Sequence, residues 1–200
     1  MDDGPFTRRD RHAPIAAVFV ASPAAVDGLA VGRVEVDGRD ATAAIIALVR
    51  GSPHWDGVRA VVLDGVAVGG FNVIDRATLA RALGRPVIAV TRRPPDRAAI
   101  RLALRTYFPT DARRRWHLVE AAPLFRVPTG GRPILASAVG CTRAEAIAVL
   151  ARVTVRGYWP EPLRLARLVA QAVARGPTAR SRRGSATGAG DTFKRRSAVD

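Results

Sequence analysis

Cysteine is almost missing from this chain. Cys141 stands alone, which excludes an intrachain disulfide and any cysteine-based zinc site. Histidine is nearly as scarce, and His12, His54 and His117 lie too far apart to form a local metal motif. Haem, iron–sulfur and zinc-finger chemistry is thereby excluded. No apolar run approaches the roughly 20 residues that span a bilayer. Arg8-Arg9 ahead of Ala13 to Ala21 has the outline of an export signal, but that run lasts only about nine residues and holds Pro14. Asp2, Asp3 and Asp10 also put acid where such a signal needs net positive charge. A soluble cytoplasmic protein with no membrane partner is expected. The stretch Asp64 to Asp75 is glycine-rich after a strand, yet it lacks G-x-G-x-x-G and G-K-[ST], so dinucleotide-loop and P-loop readings lose their fingerprint.

What the chain has instead is arginine. Lys194 is the one lysine among 32 basic residues, and the formal charge is +15. A GC-rich genome alone favours arginine over lysine, but that excess still needs a polyanion, an anionic surface or solvent to face. With 48% hydrophobic residues in 200, the chain suits one globular domain plus a tail. The boundary is predicted at residue 175. From Gly176 onward the sequence is poor in large apolar side chains and rich in Gly, Ser, Thr and Arg, the composition of a basic flexible tail.

Within residues 1–175 the hydrophobic pattern changes period. Ile15 to Val20 and Leu29 to Val36 read as strands, punctuated by Ser22-Pro23 and Asp27-Gly28, and pair as antiparallel neighbours. Asp40 is placed to cap a helix through Ile45 and Val49 that ends before Gly51-Ser52-Pro53. Val58 to Leu63 is a run interrupted only by Arg59, as in a parallel strand buried on both faces. A helix from about Asp75 to Leu83, the strand Pro86 to Thr91 and a helix after Asp96 follow. Then come the strand Ile134 to Val139, a capping box of Thr142 with Glu145, and a helix over Pro162 to Arg175. Antiparallel strands followed by βαβ units make a mixed α/β fold.

Asp64 is the most informative residue. It ends the buried strand, and in open α/β sheets ligands collect outside the carboxyl ends of strands. A strand-end Asp-Gly also serves simply to cap a turn. Asp2-Asp3-Gly4 and Asp37-Gly38-Arg39-Asp40 are further acidic turns. Converging carboxylates repel one another, and a hard divalent cation such as Mg²⁺ relieves this. Arginines around such a cluster hold phosphates, and together these groups suit two-metal phosphodiester chemistry. Arg92-Arg93, ending the neighbouring strand, are candidate phosphate clamps. Arg113-Arg114-Arg115-Trp116 adds base beside an aromatic ring. Glu161 at the start of the last helix complements its dipole, and Cys141, with no histidine nearby, reads as a small buried hydrophobe.

Five segments carry a resemblance: D-D-G-P-F at Asp2, V-D-G-R-D-A-T at Val36, L-D-G-V-A-V-G-G-F-N-V-I-D at Leu63, V-T-R-R-P-P-D at Val90 and R-G-Y-W-P-E-P-L-R-L-A at Arg156. The chain from Asp2 to Gly176 resembles the mostly archaeal family catalogued as domain of unknown function 99, itself similar to endonuclease V. The resemblance implies an RNase H-like sheet and a metal-dependent endonuclease acting near deaminated bases, uracil or hypoxanthine, in DNA. RNA is the other candidate polymer, and Mg²⁺ or Mn²⁺ the implied cofactor. It implies Asp2, Asp3 and Asp64 as metal ligands and catalytic acids. Endonuclease V's third acid, a glutamate, has no motif match, and Asp40 or Asp37 is the candidate substitute. Arg92, Arg93 and, within the segment Pro160 to Ala166, Arg164 are implied contacts to nucleic acid. The family carries an apolar strand before D-D-G-P-F, so the first strand is expected to be truncated, leaving Asp2 on a free end. A nucleic-acid-binding protein of the same fold without catalysis, and an α/β enzyme acting on a small phosphorylated metabolite, are the alternatives.

Overall fold

The computed structural model describes residues 1–22, 25–121 and 123–176, and the expected tail beyond Gly176 lies outside the described residues. The elements are β1 (Asp2–Asp3), β2 (His12–Ser22), β3 (Ala25–Glu35), α1 (Ala41–Arg50), β4 (Val61–Asp64), β5 (Ala67–Val68), β6 (Asn72–Val73) and α2 (Arg76–Leu83). They continue with β7 (Val87–Thr91), α3 (Arg97–Tyr107), α4 (Ala112–Glu120), β8 (Phe125–Val127), β9 (Ile134–Val139), α5 (Arg143–Val153) and α6 (Glu161–Arg175). β1 pairs antiparallel with β2, which pairs antiparallel with β3. β4 runs parallel to β7, and β9 lies antiparallel to both β7 and β8.

Met1 joins the two groups of strands. Its nitrogen donates to the Val62 carbonyl at 2.8 Å, and its carbonyl accepts from the Asp64 N–H at 3.1 Å. This slanted pattern is that of a parallel ladder, with Met1 level with Leu63. The sheet order is therefore β3-β2-β1-β4-β7-β9-β8. β1 is only two residues long, but the free end expected at Asp2 is not loose, because backbone hydrogen bonds hold Met1 to Asp3 from both sides.

Strand alternation sorts side chains between two helical layers. Val87 and Ala89 join Leu63, Ile15 and Val34 in packing beneath Ile45 and Val49 of α1 and Leu79 and Leu83 of α2. Ile88 and Val90 face the other way, with Ile134 and Ala136, onto Leu150 of α5 and Leu163 of α6. The result is three layers, α/β/α.

Several expectations change. The strand predicted from Val58 begins only at Val61, opposite Val87, because residues 58–60 have no strand alongside them. Asp27-Gly28 lies inside β3 and not in a turn, near a register shift at Phe19/Val20. β9 returns antiparallel, so β4-α2-β7 is the βαβ unit at the centre of the sheet. The glycine-rich stretch folds into the β5–β6 hairpin, where Gly69 and Gly70 adopt φ of +58° and +86°. Arg113-Arg114-Arg115-Trp116 belongs to helix α4, and Arg115 is buried in it. On the amino side of β1, a cavity of about 740 Å³ opens between β2 and β4, lined by Ala17, Phe19, Ala21, Val58, Val61 and Val62 among others.

Candidate metal centre

The register set by Met1 decides which acids meet. Met1 packs with Leu63 on the α1/α2 side, so Asp2 and Asp64, one residue further along adjacent strands, point to the opposite face. Both carboxylates are largely buried, and Oδ2 of each has no hydrogen-bond partner. Asp2 Oδ1 accepts only the Asp3 N–H, at 2.9 Å. Burial, reinforced by the Asp64 charge beside it, pushes the Asp2 carboxyl up to about 7. Two buried carboxylates with orphaned oxygens are costly unless a proton or a cation lies with them.

Arg92, just beyond the end of β7, brings a positive charge to Asp64. One of its nitrogens lies 3.5 Å from Asp64 Oδ2, and its guanidinium carbon lies 3.5 Å from the centroid of the Trp159 ring. Trp159 is buried ahead of α6, so it braces Arg92 through a cation–π contact. Nothing in the sequence singled out Trp159, since an aromatic two residues before a helix has no local signature. Its place within the R-G-Y-W-P-E-P segment was the available signal.

Asp3 points to the other face. Its Oδ2 accepts the Gly69 N–H at 2.6 Å. Burial raises its carboxyl above the ordinary value, against that hydrogen bond and the charge of Arg167 on α6, which hold it down. Arg167 is a second residue the sequence did not flag. Gly4 lets α6 come this close, because a Cβ there would stand 2.4 Å from the Ala170 carbonyl oxygen. Asp37, at φ +57°, accepts the Phe71 N–H at 2.7 Å and donates its own N–H to Gly69 O at 2.7 Å. Arg115 donates to the Asp37 carbonyl and to Phe71 O, tying this turn to α4.

The structure does not bring Asp40 to the Asp2–Asp64 pair. Its oxygens accept the Glu35 N–H at 3.1 and 3.2 Å and the Asn72 side-chain amide at 2.6 Å. Nor does its side chain cap α1, where Asn72 Oδ1 instead accepts the Ala41 N–H. Arg93 is exposed beside the site. Arg164, also exposed, is engaged by Glu161 at 2.5 and 2.8 Å, one turn away on α6. Among the described residues, no three His, Cys, Asp or Glu side chains stand close enough to form a metal cluster. The candidate donor set is thus the pair Asp2 and Asp64. That pair fits Mg²⁺, which keeps several waters and is bound through one or two carboxylates plus substrate phosphate.

The pattern that defines the endonuclease dU family matches residues 1–174. The chain belongs to that family. A UPF0215 protein of Methanothermobacter thermautotrophicus is 36% identical over 187 residues, covering 93% of this chain and 89% of the relative. A protein of unknown function from Archaeoglobus fulgidus superposes with a TM-score of 0.77 at 30% identity, over 88% of this chain and 96% of that one. Endonuclease V from Ciona intestinalis, solved with a 24mer DNA containing an inosine followed by a ribo-adenosine, superposes with a TM-score of 0.52 at 14% identity, over 82% and 81%. That likeness shows the fold: the sheet is RNase H-like. No helix among the described residues is long and apolar enough to cross a membrane.

Proposed function

We propose that this protein is a metal-dependent endonuclease that hydrolyses a phosphodiester bond near a deaminated base in DNA. The observation that carries this reading is the Asp2–Asp64 pair: two adjacent buried carboxylates, each with an orphaned oxygen, at the carboxyl ends of neighbouring parallel strands. The family name and the DNA-bound Ciona endonuclease V of the same fold support it. Asp2 and Asp64 are the residues that hold Mg²⁺ or Mn²⁺, with Asp3 fixed behind them by the Gly69 N–H. When bound, the ion lowers the pKa of a water and stabilises charge on the phosphoryl oxygens. Arg92 releases Asp64 and turns to the substrate phosphate, and Trp159 limits the directions in which it can move. Arg93 and Arg167 add positive charge at the rim. A deaminated, mispaired base costs least to unstack, which makes it the base most easily presented to such a site.

The test is nicking of duplexes carrying uracil, hypoxanthine or xanthine, with and without Mg²⁺ or Mn²⁺. Wild type is expected to nick only with metal, and Asp64→Asn to lose at least about 10³-fold of the rate. The Asn variant keeps the fold, because Asp64's backbone bonds are untouched. Undiminished nicking by Asp64→Asn rejects the assignment, and metal-independent DNA binding without nicking by wild type favours a non-catalytic binder.

A further inference from the structure

Helix α3 is anchored lightly for its length. Leu104 is its one buried residue, while Leu102 is 67% and Tyr107 58% exposed. Both its ends are tied to segments that leave the carboxylates. Its first residue, Arg97, follows Arg92 by five positions. Its last residue, Tyr107, lies under the guanidinium of Arg8, 5.2 Å from the ring centroid, and Arg8 follows Asp3 by five positions. The helix therefore bridges the two chain segments that flank the metal centre.

Along it, Arg97, Arg101 and Arg105 recur every four residues, a rise of about 6 Å per step. They line one shallow hollow of about 420 Å³ with Leu102, Trp116 and Glu120. Glu120, the one acid there, is neutralised by Arg97. Arg101 lies 5.0 Å from the Trp116 ring centroid, and neither Arg101 nor Arg105 has a carboxylate within ion-pair distance among the described residues. Lacking a carboxylate is common in so basic a chain, and what sets Arg101 and Arg105 apart is their placement: one turn apart, in one hollow with the Trp116 ring, on an exposed helix whose two ends adjoin the segments leaving the carboxylates. That arrangement suits a polyanion.

We propose that this face of α3, with Arg101 and Arg105 as its free charges, is the track that holds the phosphate backbone of the polynucleotide entering the Asp2–Asp64 centre. This rests on the nuclease reading for the identity of the polymer. Trp116 and the aliphatic stems of the arginines form the floor, and the charged heads meet successive phosphates, positioning the strand without reading its sequence.

The test is binding of a fluorescein-labelled, uracil-containing duplex, followed by anisotropy in EDTA across a salt series. Arg101→Gln/Arg105→Gln is expected to weaken binding roughly tenfold or more and to lower the slope of log K against log salt by about 2. Arg101→Lys/Arg105→Lys restores both, because the charges return. Arg50→Gln/Arg81→Gln removes the same charge from the last turns of α1 and α2, at the other end of the sheet, and leaves the slope within about half a contact of wild type. An unchanged slope in the α3 variant, or an equal loss in the control, overturns the track. If wild type binds no polynucleotide, the nuclease reading falls with it. If wild type binds through α3 but never nicks, the track stands and the nuclease reading alone falls.

Discussion

The seam where β2, β1 and β4 meet has two unlike ends. At the carboxyl end, Met1, Asp2 and Asp3 are bonded to β4 on one side and β2 on the other, and the next layer of contacts is polar: Gly69 on Asp3, Arg92 by Asp64, Asp37 on Phe71. At the amino end the same two strands diverge around a mostly apolar cavity of about 740 Å³, with Asp27, His54, Arg59 and Arg152 also in its lining. One end spends stability to hold buried charge. The other forgoes it, because two strand edges and their side chains meet no partner. Site and weak point are therefore neighbours on the same strands, and they respond to opposite interventions.

The largest effect on stability belongs to Asp2. Its carboxyl titrates near 7 in the folded protein against an ordinary 3.8. The folded state thus binds a proton that the unfolded state has lost. Stability from this group is full below pH 4 and declines as pH rises through 7. Asp2→Asn removes that decline. Without metal at pH 8 the variant is expected to exceed wild type by on the order of 4 kcal/mol, and at pH 4 the two should converge. The Met1 amino group, which burial lowers to about 6, is held up in part by the Asp2 charge and so titrates lower still in Asp2→Asn, but at pH 8 it is largely neutral in both folded proteins and adds little to the difference. Denaturant melts at both pH values check this. Metal reverses the ranking: Mn²⁺ should stabilise wild type at pH 8 and leave Asp2→Asn unmoved. For the same reason, nicking at subsaturating Mg²⁺ is expected to rise between pH 6 and 8, as the cation displaces the Asp2 proton. A variant no more stable than wild type at pH 8 contradicts the buried-charge account.

The next effect is at the other end of the seam. Five apolar β-forming residues fused ahead of Met1 continue β1 into the cavity, antiparallel to β2 and parallel to β4. Each buried aliphatic side chain contributes about 2 kcal/mol, and ordering each residue costs about 1.5. With the added ladder bonds, the net gain is roughly 2–4 kcal/mol, or about 5–15 °C in Tm. Calorimetry of the fused protein checks it. A fusion of five Gly/Ser residues should gain nothing, and equal gains from both would mean that burial is not the cause.

Much of this was legible in the sequence, for local reasons. Asp75 and Asp96 cap α2 and α3 through hydrogen bonds to N–H groups three residues on, and Thr142 with Glu145 closes a capping box. These signals sit within one turn of the chain. The position of Asp64 at a strand end was legible because a buried strand followed by Asp-Gly is a local pattern, and that of Arg92 because its strand follows one helix later. The site's partition was not. That Asp2 faces Asp64 while Asp3 turns to Gly69 depends on a one-residue register between β1 and β4, and a slip of one residue exchanges the two. Asp40 looked like an N-cap or a ligand from its neighbours alone, but Asn72, 32 residues away, fixes its oxygens. Arg115 lay in a run that read as base beside an aromatic ring, suited to a nucleic-acid strand, yet Asp111 and two backbone carbonyls hold it buried. Contacts between distant segments made each of these choices.

The smallest effect separates packing from its absence. Val62 and Val90 lie on adjacent strands, β4 and β7, and face the same α5/α6 layer. Val90 is 1% exposed within the packed cluster, whereas Val62 is half-buried and lines the cavity. Truncating either to alanine removes the same two methyl groups, so the transfer loss has the same ceiling of about 1.6 kcal/mol. At Val90 the surrounding side chains leave a new void, which adds to the loss, and Val90→Ala is expected to cost roughly 2–3 kcal/mol. At Val62 a void already exists and part of the side chain meets solvent, so Val62→Ala should cost less than about 1 kcal/mol. Once the fused strand covers Val62, the same substitution should rise toward the Val90 value. Equal costs in the unfused protein would show that the cavity closes in solution and that the two ends of the seam are equally well packed.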